Sequence, residues 1–442
     1  MSLSTKGGAH IQAGVVILMV AFSVMSYFDR TIISIAGPDI MKEFDLSETE
    51  MGTVYSAFIF SYVLLMIPGG RLADRLGPRL LLTVIGLGAA LFTGMTALGG
   101  RPGLGSYLGI VPSFLAIRIG LGVMTAPLYP SCARMTANWI PPARHAGVQG
   151  LIVAGAGLGG AVSPLLFSWM ITHYGWRVSF CLAAVATAAL AIVWFWYVRD
   201  HPHEHPSIGN KEHFLHGESV TIQANKPAST PWRRLLTDRN LMLLTGAYST
   251  LGYFEYMFFY WIYYYFGRIR HMGSSQTALY TTVLFLTFTV MTPLGGWISD
   301  YLSKVYGSKA GRRFVPIVGL SLGAVLLCLG INTDATIPAV MLMSMAMGFA
   351  SLSEAPFWAS TIDVGGKHVG AACGILNTGS NIGGFIAPIL TPYIASNAGW
   401  SWGLYAASLI VMVGVLAWLF IDPTRKITEA GPQIFNPSPG PV

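Results

Sequence analysis

Two residues of opposite charge, Asp29 and Arg30, stand side by side inside the first long apolar run of the chain, roughly residues 15–37. Such a run can cross a bilayer as one helix of roughly 20 residues. An arginine at the bilayer centre costs about 2.5–3.5 kcal/mol and an aspartate is similarly disfavoured, so neither side chain should face lipid. Ionisable groups in membranes commonly bind a substrate or an ion, although a buried pair can also lock helix packing. We therefore predict a polar site at Asp29 and Arg30.

The composition is that of a polytopic membrane protein surrounded by a lipid bilayer. Of the 442 residues, 53% are hydrophobic and only 10% are charged, whereas soluble proteins carry about 25% charged residues. The 51 glycines and 25 prolines fit the close packing and local breaks of membrane helices. The net charge of +7 lies in alternate loops rather than in one patch, so no nucleic-acid partner is expected.

Twelve apolar segments are long enough to be membrane spans, and they form two groups of six. They cover roughly residues 14–37, 50–70, 80–99, 107–131, 146–170, 176–198, 240–266, 276–299, 313–332, 337–360, 370–396 and 401–421. We predict an all-α membrane protein with two six-helix bundles, residues 1–198 and 240–425. A linker at 199–239 joins the bundles, and residues 426–442 are expected to be a disordered tail.

Basic residues are divided unevenly between the loops. The termini and the loops after spans 2, 4, 6, 8 and 10 hold 19 of the 26, the other loops hold five, and Arg30 and Arg118 lie inside spans. Because lysine and arginine collect on the cytoplasmic side, we predict that both termini and the linker are cytoplasmic.

The two groups of spans repeat each other. Residues 68–74 read PGGRLAD and residues 293–300 read PLGGWISD, while residues 155–164 read GAGLGGAVSP and residues 379–388 read GSNIGGFIAP. The second pair is offset by 379 − 155 = 224 residues, and the Gly-Trp pairs at 175 and 399 have the same offset. Parallel repeats of six spans are typical of transporters that alternate access to a site near the midplane, between the two bundles.

Several motifs also carry a family resemblance, over roughly residues 15–425. Residues 70–79 read GRLADRLGPR between spans two and three, as in the loop signature of the major facilitator superfamily. Residues 27–30 (YFDR), 55–58 (YSAF), 67–70 (IPGG) and 374–377 (GILN) resemble the anion:cation symporter family. That family includes bacterial sugar-acid permeases, sialin and the vesicular glutamate carriers.

The resemblance implies roles for individual residues. Arg30 would bind a substrate carboxylate, a role that suits its two-pronged guanidinium. Asp29 would be a protonation site, and Tyr62 and Asn377 would hydrogen-bond the substrate. The signature would form a cytoplasmic gate, for which the resemblance implicates Gly70, Asp74, Arg75 and Arg79.

The sequence departs from sugar-acid members of the family at two positions. A second acidic coupling residue expected in span four is Thr125, and a span-five glutamine is replaced by Ala156. The internal repeat offers a substitute, because Thr125-Ala-Pro in span four corresponds to Glu354-Ala-Pro in span ten. We expect Glu354 to serve in proton coupling or in substrate binding.

Two other buried charges, Glu255 and Arg118, are left open between functional and structural roles. The tyrosine-rich residues 253–266 could line the mouth of the cavity, although most of them are assigned to packing and to an aromatic belt at the membrane interface. Five histidines fall between residues 201 and 216, but no cysteine or aspartate completes a metal site there, so a solvated linker is favoured. The four cysteines lack metal or disulfide spacing.

Taken together, these features predict a secondary transporter in a bacterial inner membrane. The leading hypothesis is symport of an organic anion, such as a sugar acid, with protons or possibly with sodium. The alternative is an uncoupled facilitator or an exporter of a zwitterionic or drug-like compound. No enzyme activity, cofactor or metal is expected, because no nucleophile–base pair or metal cluster is found, and the chain is expected to be a monomer.

Overall fold

The computed structural model describes residues 4–100, 103–140, 145–206, 232–365 and 369–427, and it is helical throughout, without a β-strand in these ranges. The helices are α1 Ser4–Phe44, α2 Glu48–Leu76, α3 Pro78–Met95, α4 Gly105–Leu108, α5 Ile110–Thr125, α6 Leu128–Trp139, α7 His145–Tyr197, α8 Trp232–Thr237, α9 Arg239–Tyr264, α10 Ser274–Tyr306, α11 Ser308–Ile331, α12 Thr336–Ser351, α13 Glu354–Gly365, α14 Val369–Ala398 and α15 Trp400–Phe420. A π-helical turn, Tyr265–Ile269, follows α9. The predicted all-α class is confirmed.

The helices agree with the twelve predicted spans. Within the described ranges, nine helical stretches are both long and apolar enough to cross a membrane. One of them, in α7, contains two spans, since Gly175 interrupts the helix with a φ of 75°. The helices α9 and α14 are 26 and 30 residues long. Their hydropathy is lowered by tyrosines in α9 and by asparagine, glycine and proline in α14.

Local sequence explains where several helices begin. Ser47 and Glu50 form a reciprocal cap at the start of α2, in which the backbone N–H of each residue donates to the side chain of the other. The Asp238 carboxylate caps α9 by accepting from the N–H of Leu241 at 2.9 Å. Gly77 and Gly307 make the tight turns from α2 to α3 and from α10 to α11, with φ values of 80° and 88° that favour glycine.

The helices of each half pack on one another, and the described parts of the halves meet chiefly along three helix pairs. Within the halves, α1 and α3 pack on α7, while α9 packs on α14 and α15. Between the halves, α1 contacts α9, α2 contacts α14, and α7 contacts α10. Aromatic side chains are buried between the halves, including a stacked pair, Tyr55 on α2 and Tyr260 on α9, whose ring centroids are 5.1 Å apart.

Several hydrogen bonds of the described residues join the halves on one side of the membrane. We call the side on which α1 begins and α15 ends the terminal side, and the opposite side, which carries Glu48, the far side. At the far side, the Glu48 carboxylate on α2 accepts hydrogen bonds from Tyr264 and from Trp400, both in the other half. Deeper in the membrane, the Ser56 hydroxyl donates to the carbonyl of Phe385 at 2.8 Å. The structure is therefore closed on the far side.

Parts of the predicted linker and tail lie outside the described residues. These are residues 207–231, which include His213 and His216, and residues 428–442. The described part of the linker forms a short 3₁₀ turn, Pro202–Glu204, and the helix α8.

Candidate substrate site between the two halves

Arg30 lies near the middle of the membrane span His10–Phe44 and is 7% exposed. Its guanidinium points across the molecule and donates a hydrogen bond to the hydroxyl of Tyr256, which belongs to α9 in the other half. Because α1 and α9 are the first spans of the two halves, Arg30 stands where the halves meet at mid-membrane.

Aromatic rings surround this guanidinium. Its central carbon lies 5.4 Å from the ring centroid of Tyr27, 5.0 Å from Phe58, 5.9 Å from Tyr62 and 4.8 Å from Tyr256. Aromatic faces within about 6 Å attract a cation, but they do not cancel its charge as a carboxylate would. We refer to Arg30 and these four rings as the Arg30 cage.

No carboxylate in the described part of the chain neutralises the cage. Among the described residues, neither Arg30 nor Arg118 forms an ion pair. Arg118, on α5, is 2% exposed and donates through Nη2 to the backbone carbonyl of Arg30 at 3.1 Å. The Tyr260 hydroxyl lies near both guanidiniums, but it forms no hydrogen bond with the described residues. Two buried cations that form no ion pair with the described residues make this a place that attracts an anion.

Asp29 faces away from Arg30, into its own half. It is 2% exposed, and its Oδ2 accepts a hydrogen bond of 2.9 Å from the hydroxyl of Thr187 on α7. Its Oδ1 is buried without a donor among the described residues. The cation whose charge acts on Asp29 is Arg118. The two neighbouring charges therefore belong to different environments, although both are interior, as predicted.

Glu354 lies at a break in span ten. The span is divided into α12 and α13 at residues 352–353, and Glu354 is the first residue of α13. The Tyr248 hydroxyl donates to its Oε2 at 2.8 Å, and Trp358 Nε1 donates to Tyr248 at 3.0 Å. The carboxyl group of Glu255 lies within hydrogen-bonding reach of Glu354. Both acids are thus neighbours, a juxtaposition that the sequence did not indicate.

The other two predicted substrate ligands differ in position. Tyr62 belongs to the Arg30 cage and stacks on Phe58, with ring centroids 5.7 Å apart. Asn377, on α14, contacts Met66 of the other half through Nδ2 and accepts from Asn381 at 3.3 Å. In the described structure no hydrogen bond of Asn377 reaches the cage, so the structure brings Tyr62 to Arg30 but not Asn377.

The predicted gate residues are only partly described. Gly70 and Asp74 lie in α2, but the side chain of Asp74 is outside the described part of the structure. Arg75 is exposed. Arg79 binds within its own half: its Nη2 donates to the Phe195 carbonyl at 2.8 Å, and its backbone N–H donates to Asp200 Oδ1 at 2.8 Å. Arg79 therefore fastens α3 to the end of α7.

Sequence reasoning did not identify which tyrosine of α9 reaches Arg30. Tyr253 and Tyr260 are buried, as a packing role predicts, whereas Tyr256 contacts Arg30. One signal could have identified Tyr256, because it follows Arg30 by 256 − 30 = 226 residues, close to the repeat offset of 224. Arg118 makes the contact expected of its packing role, and its position beside Arg30 also adds charge to the site.

The chain is similar to known membrane transporters along most of its length. The family model of the Major Facilitator Superfamily matches residues 19–309 and 275–439. The chain is 30% identical to the probable sulfoacetate transporter SauU of Cupriavidus necator, over 95% of both chains. It is 28% identical to the hexuronate transporter of Bacillus subtilis, over 96% of this chain and 97% of the relative.

A solved structure has a similar fold. A bacterial homologue of the human lysosomal transporter Spinster, in an inward-facing and unoccupied conformation, superposes with a TM-score of 0.79 at 16% identity. The superposition covers 94% of this chain and 97% of the other. It supports the predicted fold of two pseudo-symmetric six-helix bundles.

Proposed function

Because this chain belongs to the Major Facilitator Superfamily, we propose that it is a proton-coupled symporter of a small organic anion. The anion would carry a carboxylate or a similar oxyanion group. The names of the relatives, a sulfoacetate and a hexuronate transporter, support this substrate class. The single observation that carries the proposal is Arg30, a buried cation at the meeting point of the halves that no described carboxylate neutralises.

Arg30 is suited to bind the anion because its hydrogen-bond partner in this structure can be replaced by a carboxylate. Its partner, the Tyr256 hydroxyl, is a neutral acceptor, and a carboxylate can replace it with two parallel charge-assisted bonds. Tyr62 would orient the anion from the N-terminal half, and Asn377 would do so from α14 once the halves have moved. Glu354 would accept from a hydroxyl or amine of the substrate or take up a proton.

Asp29 is proposed as a coupling acid. Its buried and incompletely bonded carboxyl group would be satisfied by a proton. An anion at Arg30 would add negative charge nearby and would favour that proton. Anion and proton would then be loaded together, with sodium as the alternative ion.

The contacts between the halves would break and form again as the protein alternates access to its site. We propose the domain boundaries 1–198 and 240–425, with a cytoplasmic linker at 199–239 and a tail at 426–442. The tail would be disordered only after Ile427, whose backbone N–H donates to the Val364 carbonyl at 3.0 Å. The protein would work as a monomer in a bacterial inner membrane. Both termini would be cytoplasmic, so the terminal side would face the cytoplasm. Gly70, Asp74, Arg75 and Arg79 would gate that side.

The experiment is uptake into proteoliposomes under an imposed pH gradient or an imposed sodium gradient. The panel contains D-glucuronate, galactarate, sulfoacetate, an aromatic acid and a zwitterion. We expect accumulation of an anion that depends on the pH gradient, and we expect Asp29→Asn to exchange the anion without accumulating it. Exchange without dependence on either gradient would favour an uncoupled facilitator, and uptake of the zwitterion alone would contradict the proposal.

A further inference from the structure

Two acidic side chains are neighbours in the C-terminal half, outside the Arg30 cage. Glu255 lies in the middle of α9 and is 4% exposed, whereas Glu354 at the start of α13 is partly exposed. Their carboxyl groups are within hydrogen-bonding reach of each other. Oε1 of Glu255 is buried with no donor among the described residues. Since two carboxylates cannot donate to each other, the contact lacks a hydrogen.

A proton would complete this contact. Two adjacent carboxylates without a cation repel each other strongly, so one of them keeps its proton. No described basic side chain forms an ion pair with either acid. We propose that Glu255 and Glu354 together form one proton-binding site, and that its proton is coupled to anion transport in addition to the proton at Asp29. The second half of this inference rests on the proposed function.

The described helices around the pair bring few charged or titratable groups near it. Tyr248 on α9 donates to Glu354, and Tyr27 on α1 is the titratable group that faces both acids from the other half. The neighbouring helices α12, α14 and α15 contain no Asp, Glu, Lys or Arg. The charges of α10, α11 and the rest of α13 lie toward the terminal side, where Arg312 binds Asp300 and Asp363.

The helix α9 links the acid pair to the Arg30 cage. Glu255 faces Glu354, and the next residue, Tyr256, accepts the hydrogen bond of Arg30. The same arrangement occurs in α1, 226 residues earlier, where Asp29 faces its own half and Arg30 faces across. An anion that displaces Tyr256 from Arg30 changes the position of α9, and with it the distance between the two acids.

The different solvent exposure of the two acids indicates the route by which the proton enters and leaves. Glu354 is the more accessible acid, so it exchanges the proton with water on the terminal side. The proton then lies between a Glu354 oxygen and a Glu255 oxygen, and it leaves by the same O–H exchange. No other bond forms or breaks.

The first test is infrared spectroscopy of the full-length protein in lipid. We expect an absorption band of a protonated carboxyl group that disappears in Glu255→Gln and in Glu354→Gln. The band should shift in Tyr248→Phe, which removes the hydrogen bond to Glu354, and should persist in Asp29→Asn and in Asp334→Asn, an exposed loop control. A spectrum that is unchanged in both glutamine variants would overturn the proton site. This measurement needs no substrate, so it is decisive even if the proposed function fails.

The second test is transport, with labelled D-glucuronate and sulfoacetate as probes. We expect both glutamine variants to retain exchange across proteoliposomes and to lose accumulation under a pH gradient, whereas Asp334→Asn retains both. Accumulation at the wild-type level in either glutamine variant would overturn the coupling role. So would loss of exchange in a variant that remains monodisperse. Absence of exchange in the wild-type protein would instead refute the proposed function.

Discussion

Asp29 and Arg30 are adjacent in the chain and separate in their contacts. Successive helix residues point about 100° apart, so one can face its own half while the next faces the other half. The hydrogen bonds follow this geometry, with Thr187 on Asp29 and Tyr256 on Arg30. The pair is therefore not an internal salt bridge, and Arg30 keeps its charge available for an anion.

Tyr62 offers a test at the scale of one hydroxyl group. Tyr62→Phe keeps the ring that stacks on Phe58 and faces Arg30 but removes the hydroxyl. A net hydrogen bond is worth about 0.5–1.5 kcal/mol, so we expect anion affinity to fall roughly twofold to tenfold with no change in thermal stability. Isothermal titration of the purified protein measures this effect. Unchanged affinity would assign Tyr62 to packing alone.

Among the structural elements, α2 and α14 approach each other closely on the far side. A Cβ atom at Gly52 would collide with the carbonyl oxygen of Pro388 in the other half. Glycine is therefore required for the closed far side, because a larger side chain would hold the helices apart.

We expect Gly52→Val to open the far side. Overpacking typically costs about 1–3 kcal/mol, which corresponds to a shift of roughly fivefold to 150-fold in the balance of conformations. Spin labels at positions 49 and 397, in a background without the native cysteines, report the separation of α2 and α14. Gly246→Val is the matched control, since a Cβ at Gly246 meets open space. The same distance distribution in both variants would contradict this role of Gly52.

The sequence predicted the charged elements of the site better than its aromatic ones. Asp29, Arg30 and Glu354 stand out because a charge inside an apolar run is costly and needs a reason. Tyr256 and Tyr260 do not, since α9 is aromatic on several faces and its periodicity cannot tell which face meets the other half. The Glu255–Glu354 contact likewise depends on how α9 packs against α13, which no local pattern encodes.

For the whole molecule, the far-side closure depends on Glu48. Its carboxylate joins α2 to Tyr264 and Trp400 of the other half. The nearby Glu50 bonds only to Ser47 at the start of its own helix among the described contacts. The two acids are close in sequence but differ in whether they connect the halves.

We expect Glu48→Ala to destabilise the closed far side, with Glu50→Ala as its control. Hydrogen bonds to a charged group are worth about 1.5–3 kcal/mol, so the open population should rise roughly tenfold or more. A cysteine at Ser56, which is fully buried between the halves, reports opening through its reaction with an impermeant thiol reagent on the far side. Equal reaction rates in the two variants would show that Glu48 does not hold the far side closed.

The most direct test of the account is anion binding to the purified protein. Arg30→Lys retains the positive charge but loses the two-pronged geometry, and Arg30→Ala loses both. With D-glucuronate or sulfoacetate as the titrant, we expect a loss of affinity of about 100-fold or more in Arg30→Ala and a smaller loss in Arg30→Lys. Arg233→Ala, an exposed cation on α8, should bind like the wild-type protein. Wild-type affinity in Arg30→Ala would contradict the central claim that Arg30 holds the anion.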